Sequence, residues 1–297
     1  MGIKHLNRHL LQNCSLQSIH PITFDDLSNK CIVVDTSIYM YKFLEDGRLL
    51  ENFQLLIDLF KEYNINPIFV FDGKPPVEKR DLLLQRQNKK KEAESKYNSI
   101  INDSSINLLD MNTINRLDNL KKKFIRINTD NIQSVRLLLI ENKMDSIVAD
   151  GEADELCVQY VKTNKAWACL SDDMDMFIFG CNRVLRNLSL TKRNVVLYVL
   201  PDILYDLKMS MDVFRDILVI SGTDYNISCQ GSNVCLRETL KWYKCYKNYC
   251  FKISEKKVYN SYYPAIPLVF YKWLVKNSKY INDYDELMRV HHMFIDT

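Results

Sequence analysis

Continuous apolar runs and helically spaced apolar positions alternate along the first 72 residues. Cys31–Val34 is short, apolar and β-branched, and Pro67–Phe71 is a second unbroken apolar run. Between them Phe53, Leu55, Leu56, Leu59, Phe60 and Tyr63 recur at helical spacing. The pattern predicts β–α–β, and two strands joined by a helix are parallel with a right-handed crossover. From Gly73 to about Asp130 the text turns charged and rich in Asn and Lys, with Lys89-Lys90-Lys91 and Lys121-Lys122-Lys123. That stretch reads as a solvated helical hairpin, or as a basic element lying over the active face. Its position directly after a candidate catalytic Asp favours the second. Periodicity resumes with a helix near Asn131–Lys143, a strand at Ile147–Val148 and a helix starting near Ala153. The strand Ala166–Leu170 follows, and the apolar runs Phe177–Gly180, Val184–Leu185 and the alternating Val195–Val199 read as further extended segments. Met211–Ile220 is the next helix, and past residue 226 only patches of helical spacing remain. The fold class expected is α/β: a mostly parallel sheet flanked by helices, with a small helical C-terminal region.

Composition changes this picture little. At 47% hydrophobic and 26% charged, the chain is an ordinary globular protein with length enough for a sizeable core. The formal charge is only +3, but with the candidate site acids set aside the rest of the surface is more basic, as suits a polyanionic partner. Nine cysteines without a C-x-x-C read as free thiols in a reducing compartment. The start Met-Gly-Ile-Lys-His-Leu has no apolar segment of the secretory kind, and no window reaches the roughly 18 apolar residues of a spanning helix, so a soluble intracellular protein is expected.

The acids carry the chemistry. Asp35 follows Ile32-Val33-Val34, Asp72 follows Ile68-Phe69-Val70-Phe71, and Asp173 and Asp175 follow the run ending at Leu170. Glu152 and Asp154 sit at a helix start, and Asp224 follows the helix ending near Ile220. Carboxylates at the carboxyl ends of parallel strands face the crevice where open α/β sheets bind ligands. Gathered there they repel unless divalent cations neutralise them. Oxygen-only donors suit Mg²⁺ or Mn²⁺, and two such ions about 4 Å apart are a standard device for phosphodiester cleavage. Any one of these acids alone reads more readily as a helix or turn cap than as a metal ligand; it is several at separate strand ends that point to a site. The five histidines, His5, His9, His20, His291 and His292, lie outside the acidic motifs and read as surface or capping residues.

Five ordered motifs then resemble the flap endonuclease / xeroderma pigmentosum group G family of structure-specific 5′ nucleases. They are Met1–Leu6 with Val34–Leu44; Phe69–Pro76 with Lys79 and Arg86; Gly151–Cys157; Ser171–Gly180; and Ser221–Tyr225. Asp154 stands where the family usually has a second Glu. The resemblance implies a 5′-nuclease (PIN-like) core over 1–225, with a helical arch at about 88–130 between its 1–87 and 131–225 parts. It further implies two Mg²⁺ ions per chain, replaceable by Mn²⁺, held among Asp35, Asp72, Glu152, Asp154, Asp173, Asp175 and Asp224 and activating a water. Lys79 and Arg86 would steer the phosphate; seven residues apart on a helix is about two turns, so both can face one group. Tyr41 would stack on a base, or be a core tyrosine. Gly2 would allow close backbone approach to DNA, and Lys89, Lys90 and Lys91 would line the arch.

The expected function is hydrolysis of DNA at single-strand/duplex junctions, as endonuclease, 5′→3′ exonuclease or both, in replication, repair or recombination. The alternatives are a 5′→3′ exoribonuclease and a catalytically inactive nucleic-acid-binding scaffold. Residues 226–297 read as a reduced helical region: Asn226–Asn233 keeps one glycine where the family has a glycine-rich loop opening a helix–two-turn–helix. No sliding-clamp peptide is evident, and a monomer is expected. Cys229, Cys235, Cys245 and Cys250 are spaced poorly for zinc. The Asn, Ile, Lys and Tyr bias points to an AT-rich genome such as that of a large DNA virus, and the expected location is the nucleus or a viral replication site.

Overall fold

A computed structural model describes residues 2–103, 110–225, 235–256, 266–278 and 284–295. Seven strands form one sheet: β1 (Ile19–Thr23), β2 (Cys31–Asp35), β3 (Asn66–Phe71), β4 (Asp145–Val148), β5 (Ala168–Leu170), β6 (Arg183–Ser189) and β7 (Asn194–Val199). Their order is β1-β7-β6-β5-β2-β3-β4. From β6 to β4 all neighbours are parallel, while β7 is antiparallel to both β6 and β1. Only β7 therefore runs against the rest, and the mostly parallel sheet expected from the sequence is what forms.

The central strands are unbroken apolar runs because both sheet faces are covered. Ile32, Val34 and Phe69 enter one core with Tyr39, Met40 and Phe43 of α2 (Thr36–Glu45), Phe53, Leu56 and Phe60 of α3 (Leu49–Glu62), and Val135 and Leu139 of α6 (Thr129–Glu141). Val33, Val70 and Cys169 enter the other, with Leu6 and Leu10 of α1 (Leu6–Asn13), Cys157 and Val161 of α7 (Ala153–Lys162), and Ile203 of α9 (Leu200–Leu207). Behind that second face lies α10 (Met211–Ser221), whose last nine residues are all buried. It is buried nearly all round because the C-terminal helices α11 (Leu236–Lys256), α12 (Ile266–Asn277) and α13 (Tyr284–Met293) cover its outer side. Among the described residues no helix is long and apolar enough to cross a membrane.

Two expectations need correction. Phe177–Ile178 is not extended: it lies in the short helix α8 (Asp175–Ile178), fully buried. A short apolar run looks the same whether a buried strand or a buried helix carries it. His291 is not a surface residue either. It is buried on α13, with Nε2 2.8 Å from Oδ1 of Asp216 on α10, off the line a hydrogen bond prefers.

The charged stretch folds as two helices, α4 (Arg80–Asn102) and α5 (Met111–Lys123), that pack on each other. Tyr97 of α4 meets Phe124 edge-on at 5.4 Å, and Arg126 pairs with Glu94 at 2.6 Å. Helix α4 runs without a break through residue 88, so no structural boundary marks the expected arch there. The eight described cysteines are all free thiols; Cys229, like the rest of 226–234 and Thr297, lies outside the described residues.

Candidate active site

The sheet order decides where the acids meet. The chain steps outward from β2 to β3 and β4, then returns to the other side of β2 for β5 and β6. That reversal opens a crevice at the carboxyl ends of β2 and β5. Asp35 is the last residue of β2, and Asp72 follows β3 directly. Glu152 and Asp154 open α7 after β4, Asp173 and Asp175 follow β5, and Asp224 follows α10. Parallel neighbours present all their carboxyl ends on one edge, so residues nearly 190 positions apart in sequence become one site.

Each carboxylate is held differently. Asp35 caps α2, its Oδ1 accepting from the Ile38 amide at 3.3 Å, while Oδ2 accepts from the Ser171 hydroxyl at 2.8 Å. Burial, then the charge of Asp72, pushes Asp35 up to about 7. Asp72 accepts from the Ala153 amide at 2.9 Å and so caps α7 from a neighbouring strand. Glu152, at the capping position of α7, makes no capping bond itself. Its Oε2 instead meets Lys79 Nζ at 2.7 Å and accepts from the Tyr225 hydroxyl. Asp173 Oδ1 accepts from the Asp175 amide at 3.0 Å. Burial foremost, with the neighbouring acids adding to it, holds Asp154 and Asp175 well above the usual carboxylate range. Asp175 is 2% exposed and its Oδ1 is buried with no hydrogen-bond partner.

Two glycines are dictated by this crowding. A Cβ on Gly2, at φ +76°, would lie 2.5 Å from Oδ1 of both Asp173 and Asp175. The N-terminus is carried there by α1, whose Asn7 accepts from Arg186 at 2.8 Å and from Tyr198 at 2.7 Å. At Gly73 a Cβ would fall 1.9 Å from the Ala149 carbonyl oxygen, where the Gly73 amide donates to Gly151 at 2.8 Å.

Lys79 and Arg86 both reach the acids, though not along one helix. Lys79 ends a 3-10 turn, Val77–Lys79, and α4 begins only at Arg80. Pro76, extended at φ −64° and ψ 153°, caps that turn, which then leads into the helix. Lys79 Nζ lies 2.7 Å from Glu152 and 3.9 Å from Asp224, and Arg86 Nη2 lies 2.7 Å from Asp224. Burial works against the Lys79 charge, but the attraction of Glu152, Asp154 and Asp224 outweighs it and leaves the ammonium more basic than usual. Tyr41 is half-buried at the rim, with Lys90 Nζ 4.9 Å from its ring centre; the fully buried core tyrosine of α2 is Tyr39. Lys89 and Lys91 are exposed on α4.

Sequence reasoning missed Ser171, which links Asp35 to the Asp173 amide (3.1 Å), and Tyr225. Both lie inside motifs quoted for their acids, and no periodicity signals a supporting hydroxyl. Asp172, flanked by the candidate acids, is tied away to Lys42 at 3.1 Å and the Asn187 amide at 2.7 Å.

All-oxygen donors, one buried with no partner, fit a hard divalent cation. Among the described residues, no group of three or more acidic, imidazole or thiol side chains closes on a common point. Beside Tyr225, a cleft of about 410 Å³ opens between Val77, Arg80 and Arg289.

Residues 1–93 match the XPG N-terminal domain and residues 143–224 the XPG I-region. The chain belongs to the flap endonuclease / XPG family. Flap endonuclease 1 of Leishmania major is 31% identical over 247 residues, which are 76% of this chain and 60% of that protein. This family member thus spans about 60% of the length of the curated relatives it matches. In fold it is similar to the catalytic core of Rad2, with a TM-score of 0.62 and 21% identity over 99% of this chain and 85% of that one. It is similar also to flap endonuclease-1 from Methanococcus jannaschii, at 0.55 and 23% over 94% and 95%. All seven acids of the crevice fall within the two matched regions, and α5 and α6 lie between them.

Proposed function

We propose that this chain is a divalent-cation-dependent nuclease that hydrolyses DNA phosphodiesters at single-strand/duplex junctions, with 5′ flaps as its preferred substrate. The observation that carries the reading is the edge of β5, β2, β3 and β4. Seven carboxylates gather there beside two cationic side chains, and a buried Asp175 oxygen stands without a partner. Such repulsion has no structural benefit; it is the state expected of a site built for cations.

Asp35, Asp72, Glu152, Asp154, Asp173, Asp175 and Asp224 would hold two Mg²⁺ ions, or Mn²⁺ in their place. Bound there, the ions supply neutralising charge at the phosphate and a more acidic water. Lys79 and Arg86, now paired with Glu152 and Asp224, would exchange those partners for phosphate oxygens and stabilise the charge that builds on them. Tyr41 offers a ring face at the rim for a base to stack on, and Lys90, above it, a cation for the backbone. Helices α4 and α5 present Lys89, Lys91 and Lys121–Lys123 as a basic wall that attracts single-stranded ends without reading sequence.

The test is cleavage of an end-labelled double-flap DNA with Mg²⁺ or with EDTA, beside a blunt duplex and a matched RNA flap. Mg²⁺-dependent cutting at the base of the 5′ DNA flap is the expected result. Preferential cutting of RNA would replace the substrate, and binding without any cutting would replace the enzyme with a scaffold.

A further inference from the structure

One buried tyrosine touches both halves of the Lys79–Glu152 pair. Tyr225 is 5% exposed; its hydroxyl donates to Glu152 Oε2, and Lys79 Nζ lies 4.7 Å from its ring centre. Lys79 is thus gripped by an anion and by an aromatic face that belong to one assembly. The ring is itself seated from behind. Phe294, fully buried, meets Tyr225 edge-on at 5.3 Å and 84°, and Phe179 at 4.8 Å. Phe294 directly follows α13, the helix that packs on α10. The row Phe179–Phe294–Tyr225 ends at Lys79.

We infer that Tyr225 is a positioning residue that holds Lys79 and Glu152 in register for the reaction, and that the C-terminal helix α13 sets its place through Phe294. This deepens the nuclease reading and rests on it for the word reaction; the contact relay itself stands on geometry alone. A flexible lysine has many rotamers, and fixing its ammonium before substrate arrives preserves what would otherwise be lost as entropy in the transition state. The relay also gives the C-terminal helices a role beyond covering α10.

The experiment follows Lys79 directly. The full chain is treated briefly with an amine-acylating reagent, and peptide mass spectrometry compares Lys79 with the exposed Lys192, in wild type, Tyr225→Leu, Tyr225→Phe, Phe294→Ala and the Leu/Ala double variant. Turnover and KM on the double-flap DNA are measured on the same preparations. Tyr225→Leu and Phe294→Ala are expected to speed Lys79 labelling about fivefold or more, with Lys192 unchanged. Turnover should fall about tenfold, the scale of one lost charge-assisted hydrogen bond, with KM within about twofold. Tyr225→Phe, which keeps the ring and the packing, should lie between. In a relay the double variant is no worse than Tyr225→Leu alone, whereas independent structural damage multiplies. Unchanged Lys79 labelling in Tyr225→Phe and Phe294→Ala, or losses that multiply, would overturn the inference. Should the wild type cut no flap DNA, the nuclease reading falls while the labelling still decides the relay.

Discussion

Replacing Asp175 by Asn should make the protein more stable and inactive together. Asp175 is 2% exposed, its Oδ1 has no partner, and Asp173 lies against it. An unsatisfied buried polar group costs about 1–3 kcal/mol, and an amide of the same shape also removes a charge and adds donors for the neighbouring carboxylates. A gain of about 2 kcal/mol is expected in EDTA, raising the melting temperature by about 4 °C for a domain of this size. The sign with pH follows from the raised Asp175 value, caused chiefly by burial. The folded wild type holds that proton longer than the unfolded chain does, so wild-type stability is fully present below the unfolded value and is lost as pH rises through the folded one. Asn does not titrate there, so its advantage is larger at pH 8 than at pH 6. Mg²⁺ reverses the ranking, since a cation at one hundred times its Kd adds about 2.7 kcal/mol to a protein that binds it only when folded. Thermal melts of both proteins at two pH values, with EDTA and with Mg²⁺, read all three effects. A lower melting temperature for Asp175→Asn in EDTA at pH 8 would refute the account of a site strained by its own charge.

Other substitutions probe separate parts. Lys79→Ala should lower turnover about 10²–10³-fold with DNA affinity within about threefold, by single-turnover cleavage and anisotropy; an unaltered rate removes it from the chemistry. Gly73→Ala should cost about 3 kcal/mol in urea melts, because the Ala149 carbonyl would have to move away from a Cβ at 1.9 Å. Gly2→Ala should cost about 1–2 kcal/mol in urea melts, because Ala is strained at φ +76°, and should abolish cleavage, as its Cβ would displace the Asp173 and Asp175 carboxylates. Lys90→Ala should reduce the slope of log affinity against log salt by about 1, and an unchanged slope would mean that Lys90 meets no phosphate.

The parts of this molecule readable in advance are those where local text and global role coincide. The middles of β2 and β3 are apolar because both faces are covered; β2 ends in Asp35 and β3 is followed directly by Asp72, the acids that the crevice uses. β1 was silent because it is an edge strand: Ile19–Thr23 includes His20 and Pro21, and only partial burial is asked of it. Phe177–Ile178 misled because burial in a helix and in a strand select the same residues. The acids were legible as a set, but not their partners. That Asp72 rather than Glu152 would cap α7, or that Tyr225 would support Glu152, depends on contacts 81 and 73 positions apart. His291 was misread for the same reason, since what buries it is α10, far upstream.

The path of the N-terminus has a consequence for how the chain comes into being. A ribosome releases α1 long before β7, yet Asn7 finds Tyr198 only 191 positions later, and Gly2 lies against Asp173 and Asp175. Contacts of such length form late, because the loop they close must exist before they reward its closure. A half-made chain therefore carries the basic helices α4 and α5 but not the completed acidic crevice. On the proposed nuclease reading, nascent and truncated products would cling to nucleic acid without cutting it, and hydrolysis would become possible only once β5 and α10 have brought in Asp173, Asp175 and Asp224.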